Sequence, residues 1–531
     1  MDILSNLLDS GSVKSPYLWI GLLAGPVYVI YTVIWRLYFS PIAHFPGPKL
    51  AAATTLYEAY YNIWLGGKYI WRVKQMHDTY GPIVRISPTE LHVLDPEFFE
   101  TLYPSSTSKR KAHKVSKFFG LEDSLFSTID HDLHRMRRTA LLPFFSTAYT
   151  RKLQPEIQER LGVMLTRMKG FKDTDEPINA SCMYAAFTND IMQILAFGEC
   201  AYKLETPGFD STERDASISG AMAYHVLKRI LWFNNVLMVV PESIVEKINP
   251  SLGSYMRQKR RTREQVEKLA TQTSDDWASR GIAPVFQAVR ESSKLPPQEK
   301  SIDRLAQDAQ MLLMAGTLTT ASTLEHMTYW LLDNPIVLRK LKDELITVMP
   351  SIDDVGKIPL STLDSLPYLT AIIKEGARLI YGNSLPHFRQ NPDGTLTLTD
   401  KERGKTWVIP AGTSVGMTSV LLHHNEDHFP DSYDFVPERW LGEEGKKLEK
   451  YMVAFGKGGR ICLGMNQAFG ILRLVLAQMW RSWASEDVKI GDEIGKITLY
   501  NTTAEDVEVV GDFFIAAYHK PQGVEFKVHS V

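Results

Sequence analysis

The stretch FGKGGRICLG, residues 455–464, places Cys462 in a loop with four glycines. Gly458 and Gly459 permit tight backbone turns there, and Gly464 permits close packing of a helix that starts after Cys462. Such a loop brings backbone N–H donors to the sulfur, which favours a thiolate over a thiol. Two readings stand at this point. In one, Cys462 is a buried structural thiol in a glycine-rich turn, the better choice for an isolated cysteine. In the other it is a metal-binding thiolate, with Phe455 packed beside the sulfur to keep it dry. The fixed positions F-x-x-G-x-R-x-C-x-G arise by chance on the order of once in ten thousand chains of this size, which favours the second.

A single protein thiolate on haem iron is the arrangement that favours O–O cleavage, and the loop is similar to the haem-binding signature of the cytochrome P-450 family. The resemblance implies haem b (iron protoporphyrin IX) as cofactor and Cys462 as axial ligand of the iron. It also implies Arg460 on a haem propionate, with Phe455 and Gly464 beside the ligand.

Three further motifs carry the same resemblance. In EGAR, residues 375–378, Glu375 and Arg378 lie one helical turn apart, a spacing that alone says little because exposed pairs of this kind contribute little. With Arg439 of FVPERW, residues 435–440, the resemblance implies a buried Glu375–Arg378–Arg439 triad, structural and not catalytic. In HDLHRMRRTALLPFFS, residues 131–146, His134 and Arg138 are one turn apart and the resemblance implies that both meet haem propionates. Arg135 and Arg137 fit a solvated basic face better. Arg389 in LPHFRQ resembles a further propionate-binding arginine. In AGTLTT, residues 315–320, the resemblance implies that Ala315 and Gly316 open a groove for dioxygen and that Thr319 is catalytic, steering protons to it. For a lone helical threonine the plainer reading is a hydroxyl bonded back to its own helix. Many family members carry an acid just before that threonine, and this chain has Leu318.

Around these motifs lies a chain of 531 residues, 44% hydrophobic and 23% charged, ordinary for a large globular protein. Its 59 lysines and arginines against 61 acids leave a formal charge of -2, so no nucleic-acid partner is expected. Cys182, Cys200 and Cys462 are too few and scattered for a disulfide framework or a zinc site.

The run SPYLWIGLLAGPVYVIYTVIW, residues 15–35, carries no charge. At about 1.5 Å per helical residue it is long enough to span a hydrocarbon core, and it reads as an N-terminal transmembrane helix within an anchor over residues 1–40. A cleaved signal peptide is the alternative, against which stand the length of the run and the lack of a small-residue cleavage site. Positive charge follows in Arg36, Lys49, Lys68 and Arg72, which argues for a cytosolic catalytic body over residues 41–531. With the resemblance, this implies a single-pass protein of the endoplasmic reticulum membrane. HFPGPKL, residues 44–50, is a stiff non-helical connector.

Apolar residues at three-and-four spacing mark helices at residues 211–233, 251–272, 301–334 and 363–382. Short β-type runs occur at residues 81–95, 405–419, 506–520 and 524–530. The expected fold is mainly α with small β-sheets, as the resemblance also implies.

No flavin or nicotinamide fingerprint is present, so electrons must come from a partner, which the resemblance implies is NADPH–cytochrome P-450 reductase docking near Lys457, Arg135 and Arg137. The other reactants implied are O2 and an apolar small-molecule substrate. The segments expected to line its cavity are residues 118–128, 225–240, the Ala315 helix and residues 383–387, although residues 230–240 fit a core or membrane-dipping segment equally well. For His387 near the haem edge two readings stand, contact with a substrate oxygen and a satisfied structural histidine, of which the second is the expectation. Nearly the whole chain after the anchor resembles the fungal secondary-metabolism branch typified by trichodiene oxygenase, which implies a terpenoid, meroterpenoid or indole-terpene substrate. Leu318 leaves two chemistries open: monooxygenation supported by Thr319 and water, or desaturation, dehydration or rearrangement. A non-catalytic membrane haem protein is the rival outside enzymology.

Overall fold

A computed structural model of the chain describes residues 16–105, 108–117, 120–232, 239–272 and 283–530. The side chains of residues 16–23, 114, 115 and 251 lie outside that description.

The long helix Ile302–Asp333 runs through the protein. Ser301 caps it, its hydroxyl accepting from the Arg304 amide, and no proline interrupts the run. Its apolar faces pack on the helix Ala180–Phe197, which starts at an Asn179 cap and stops where Gly198 turns left-handed at φ 71°. The helices Pro367–Ile380 and Met465–Ser482 complete the layer around this pair. Together they form one continuous apolar core whose largest members, Trp480 and Trp483, are fully buried.

Of the expected helices, residues 251–272 appear as Pro250–Ala270 and residues 301–334 as one unbroken element. Among the described residues 211–232, the run forms two pieces, Thr212–Met222 and Tyr224–Leu227. The run 363–382 starts only at Pro367, since the pyrrolidine ring suits the first turn and not the interior.

All four β-type runs form strands. Ile83–Arg85 pairs antiparallel with Glu90–Val93, which lies parallel to Ser414–Gly416. Arg389–Gln390 and then Lys111–Ala112 extend that sheet. A second sheet joins Ile178–Asn179, Glu525–His529, Gly495–Leu499 and Trp483–Ser485. Val509–Phe513 and Ile515–Tyr518 form a separate hairpin. The architecture is mainly α with small sheets, as expected.

The N-terminal run forms the helix Pro16–Ile34, with Pro26 inside it. Its described side chains Val27, Tyr28, Val29 and Ile30 are exposed. Among the described residues no helix is long and apolar enough to cross a membrane. The connector behind it is docked on the sheet. The Arg85 amide donates to the Pro46 oxygen at 2.7 Å, the Arg85 guanidinium reaches the Arg36 oxygen at 2.8 Å, and Phe45 stacks on Trp407. Gly47 is required there, since a Cβ would lie 2.5 Å from the Arg85 oxygen.

Candidate active site

The loop ahead of Met465–Ser482 folds on itself: the Cys462 amide donates to the Phe455 oxygen at 2.8 Å and the Ile461 amide to the Gly458 oxygen at 3.1 Å. Two glycines are left-handed, Gly456 at φ 67° and Gly458 at φ 70°. At Gly458 a Cβ would lie 2.1 Å from the Pro104 carbonyl oxygen, so the loop can press against the chain only with glycine there. Gly464 behaves differently from expectation. It caps the helix at φ -86°, and a Cβ would meet nothing within 4 Å, so packing of the helix on the chain does not require it.

Cys462 presents its surface to an internal cavity of about 470 Å³. Burial pushes its thiol pKa up, against the backbone amides of Gly464 and Met465, which donate to the sulfur, and against the Arg138 charge. A cation on the sulfur would reverse that balance, since a coordinated thiol is held as the thiolate. Phe455 lines the same cavity and packs on Phe469 at 5.4 Å.

Across the cavity stands the long helix, with Ala315 and Thr319 exposed to it and Leu318 also on the wall. The Thr319 hydroxyl donates to the Ala315 oxygen at 2.8 Å, the back-bonded arrangement of a helical threonine. Gly316 serves helix packing: a Cβ would sit 2.3 Å from the Met192 sulfur on the facing helix. Its small size lets the two helices approach, a role that sequence spacing did not show.

One rim of the cavity is basic and opens into a second lobe of about 400 Å³ shared by His134, Arg138, Arg389 and Arg460. Arg460 donates to the Ile129 oxygen at 3.1 Å, and Arg389 donates to the Phe388 oxygen at 2.9 Å while lying over the Tyr103 ring. The Arg138 guanidinium has no hydrogen-bond or ion-pair partner among the described residues. Burial, then Arg389 and Arg138, push Arg460 down to about 9. Burial, then Arg460, Arg138 and Arg389, push His134 down to about 2, so it is neutral. Three guanidinium groups thus crowd together, and among the described residues Asp130 is the acid that offsets Arg460.

Arg137, expected on a solvated face, is buried. Its guanidinium donates to Glu299 at 2.6 and 3.1 Å and to the Thr128 hydroxyl at 2.7 Å. It therefore cannot belong to a docking surface, whereas Arg135 is exposed and Lys457 reaches Glu100 at 3.3 Å.

Beneath the loop, Glu375 accepts from Arg378 at 2.8 and 2.9 Å, from Arg439 at 3.0 Å and from the Trp440 indole at 2.8 Å. Arg378 also donates to the oxygens of His423, Ser432 and Asp434. Glu375 and Arg378 are wholly buried, and the group holds the Pro367–Ile380 helix to the segment before the cysteine loop.

His387 is not satisfied as expected: its Nε2 is buried with no hydrogen-bond partner among the described residues, and burial then Arg389 push its pKa down to about 4. Tyr103, which the sequence did not single out, fixes this segment by donating to the His387 oxygen at 2.6 Å and accepting from the Met417 amide at 3.1 Å. Residues 118, 119 and 233–238 of the expected lining lie outside the described residues.

A cytochrome P450 family model matches residues 53–494. The chain is a cytochrome P450. It is a haem-thiolate monooxygenase, binds haem b, and uses O2, a small-molecule substrate and a redox partner, as members of this family do. This cytochrome P450 is 40% identical to the cytochrome P450 monooxygenase tpcC of Cochliobolus heterostrophus over 514 residues, 96% of this chain and 97% of that protein. It is 37% identical to the tryptophan 6-hydroxylase fscE of Fusarium equiseti, over 91% of each chain. It is 34% identical to the N-acetyltryptophan 6-hydroxylase ivoC of Emericella nidulans, over 92% of each. The residues present suit the cofactor: the basic rim asks for a buried dianion, which the two haem carboxylates supply, and the sulfur lies on the wall of the same cavity.

Proposed function

We propose that this cytochrome P450 is a membrane-anchored monooxygenase of fungal secondary metabolism that oxidises an apolar natural product, a terpenoid or meroterpenoid. The observation that carries the reading is the placement of Cys462 opposite Ala315 and Thr319 across one cavity, with a basic rim at its side. Two relatives named as hydroxylases of tryptophan and of N-acetyltryptophan favour an indole-bearing substrate as the second reading.

Cys462 would hold the haem iron through its thiolate, with the amides of Gly464 and Met465 donating to the sulfur and Phe455 keeping it dry. Arg138, Arg389 and Arg460 would hold the propionates, with His134 as a further donor. The haem supplies dioxygen activation and substrate oxidation once bound. Ala315, small and exposed on the cavity wall opposite Cys462, would leave room there for dioxygen. The Thr319 hydroxyl proton, which rests on the Ala315 oxygen, is the one that can be turned toward dioxygen, and Leu318 adds none. The apolar wall excludes water, which strengthens the interactions of these few polar groups.

Electrons come from NADPH–cytochrome P450 reductase, approached through Arg135 and Lys457. The apolar helix Pro16–Ile34 and the exposed Tyr38 and Phe39 behind it support an anchor in the endoplasmic reticulum membrane, with the body on the cytosolic side.

The test is product analysis under ¹⁸O₂ with membranes holding this protein and the reductase, supplied with a panel of terpenoids and indoles. A labelled product supports the proposal. An altered but unlabelled product moves the chemistry to desaturation, dehydration or rearrangement.

A further inference from the structure

We infer that Asn383 is a specificity-determining hydrogen-bond donor, and that the substrate is an uncharged apolar molecule whose carbonyl or equivalent acceptor oxygen it holds. This rests on the reading of the cavity as the oxidation site and deepens it. Asn383 lies on the cavity wall after the helix Pro367–Ile380. Its Oδ1 accepts from the Leu385 amide at 2.9 Å. Since an N–H can only donate, that bond settles which end of the amide is oxygen, and the Nδ2 hydrogens point elsewhere. They have no partner among the described residues.

The segment is fastened on both sides, so the donor is preorganised. The Asn383 oxygen accepts from Ser419 at 3.2 Å and the Ser384 oxygen from Thr418 at 2.7 Å. On the other side the Ser384 hydroxyl donates to Asp512 at 2.6 Å and the Ser384 amide to the Phe514 oxygen at 3.2 Å. Asp512 also accepts from the Phe514 amide at 3.3 Å. These bonds hold Phe514 at φ 79°, a left-handed conformation that a phenylalanine adopts only when its surroundings impose it. Its ring lines the cavity beside Phe126, edge-on at 5.8 Å, and Tyr224 at 6.3 Å.

The distal wall thus offers aromatic surface with a fixed amide donor. Three wall hydroxyls are spent on the backbone, Ser217 on the Glu213 oxygen, Thr319 on the Ala315 oxygen and Thr323 on the Thr319 oxygen. Every lysine and arginine lining the cavity, Arg138, Arg389, Lys457 and Arg460, belongs to the basic rim. Among the described residues a substrate carboxylate on the distal side would therefore meet no lysine or arginine, which favours a neutral acceptor oxygen.

Spectral titration of the holoprotein with fluorene and fluorenone tests this, because the two rings differ only in the carbonyl. The wild type is expected to bind fluorenone about 3- to 10-fold more tightly, the range of one neutral hydrogen bond. Asn383→Asp keeps an acceptor for the Leu385 amide but removes the donors, and Asn383→Leu removes both. In each the preference should vanish, with fluorene binding to the leucine variant kept. A normal spin shift with equal affinities in the wild type, or a preference surviving in both variants, overturns the inference alone. No shift with either compound overturns the apolar-cavity reading and this inference with it.

Discussion

The Thr319 hydroxyl donates to the Ala315 carbonyl oxygen at 2.8 Å, one turn back on the same helix, while both residues face the cavity that Cys462 enters. The proton needed for oxygen chemistry is thus parked on a backbone acceptor. Thr319→Ala is expected to raise peroxide released per product formed, and Thr319→Ser to restore coupling. An unchanged ratio in the alanine variant would show that protons enter elsewhere.

Glu375→Gln leaves two buried guanidinium groups facing a neutral amide. It should lower the unfolding free energy of the holoprotein by roughly 3–5 kcal/mol, the cost of breaking a buried ion pair. Denaturant melts check this; a loss below about 1 kcal/mol would show that the carbonyls around Arg378 suffice.

Gly458 and Gly404 share a left-handed backbone, φ 70° and 62°, but only at Gly458 would a Cβ strike a neighbouring carbonyl. Gly404→Ala should cost about 1 kcal/mol and keep full haem content. Gly458→Ala should lower the haem-to-protein ratio severely. Equal haem content in both would mean that the loop can shift off Pro104.

His77 and His92 share a buried hydrogen bond of 2.8 Å. Burial pushes His77 down to about 4 and His92 lower still, with His77 adding to the latter. Both are neutral when folded, whereas the unfolded chain protonates near pH 6.5. The folded state then binds fewer protons between these values, so stability is held above about pH 6.5 and lost as pH falls toward 4. At about pH 5 the loss should reach about 2 kcal/mol per histidine. Unfolding free energies against pH check it, with His92→Gln expected to flatten the slope.

Arg135 is exposed while Arg137 is sealed against Glu299. Arg135→Glu should slow reduction by the reductase several-fold at low ionic strength and leave haem content unchanged. Arg137→Glu should instead destabilise the fold. Unaltered reduction by the Arg135 variant would place the docking face elsewhere.

Local chemistry was legible in the chain itself. Glycines around Cys462, alternation in the four strand segments and three-and-four spacing in the long helix act through neighbours a few residues away, so residue types and spacing carry them. Helical spacing groups His134 with Arg138 but does not say which way a face turns. Only packing seals Arg137 on Glu299, 162 positions away, and leaves Arg138 beside the cysteine. Only packing sets Gly316 against Met192, leaves the Gly464 position open, and brings Phe514 over a cavity beside Asn383. Burial and long-range hydrogen bonds belong to pairs of distant segments. The sequence by itself determined the chemistry each residue can offer; tertiary structure decided which of those groups meet, because desolvation and charge act only between groups brought into contact.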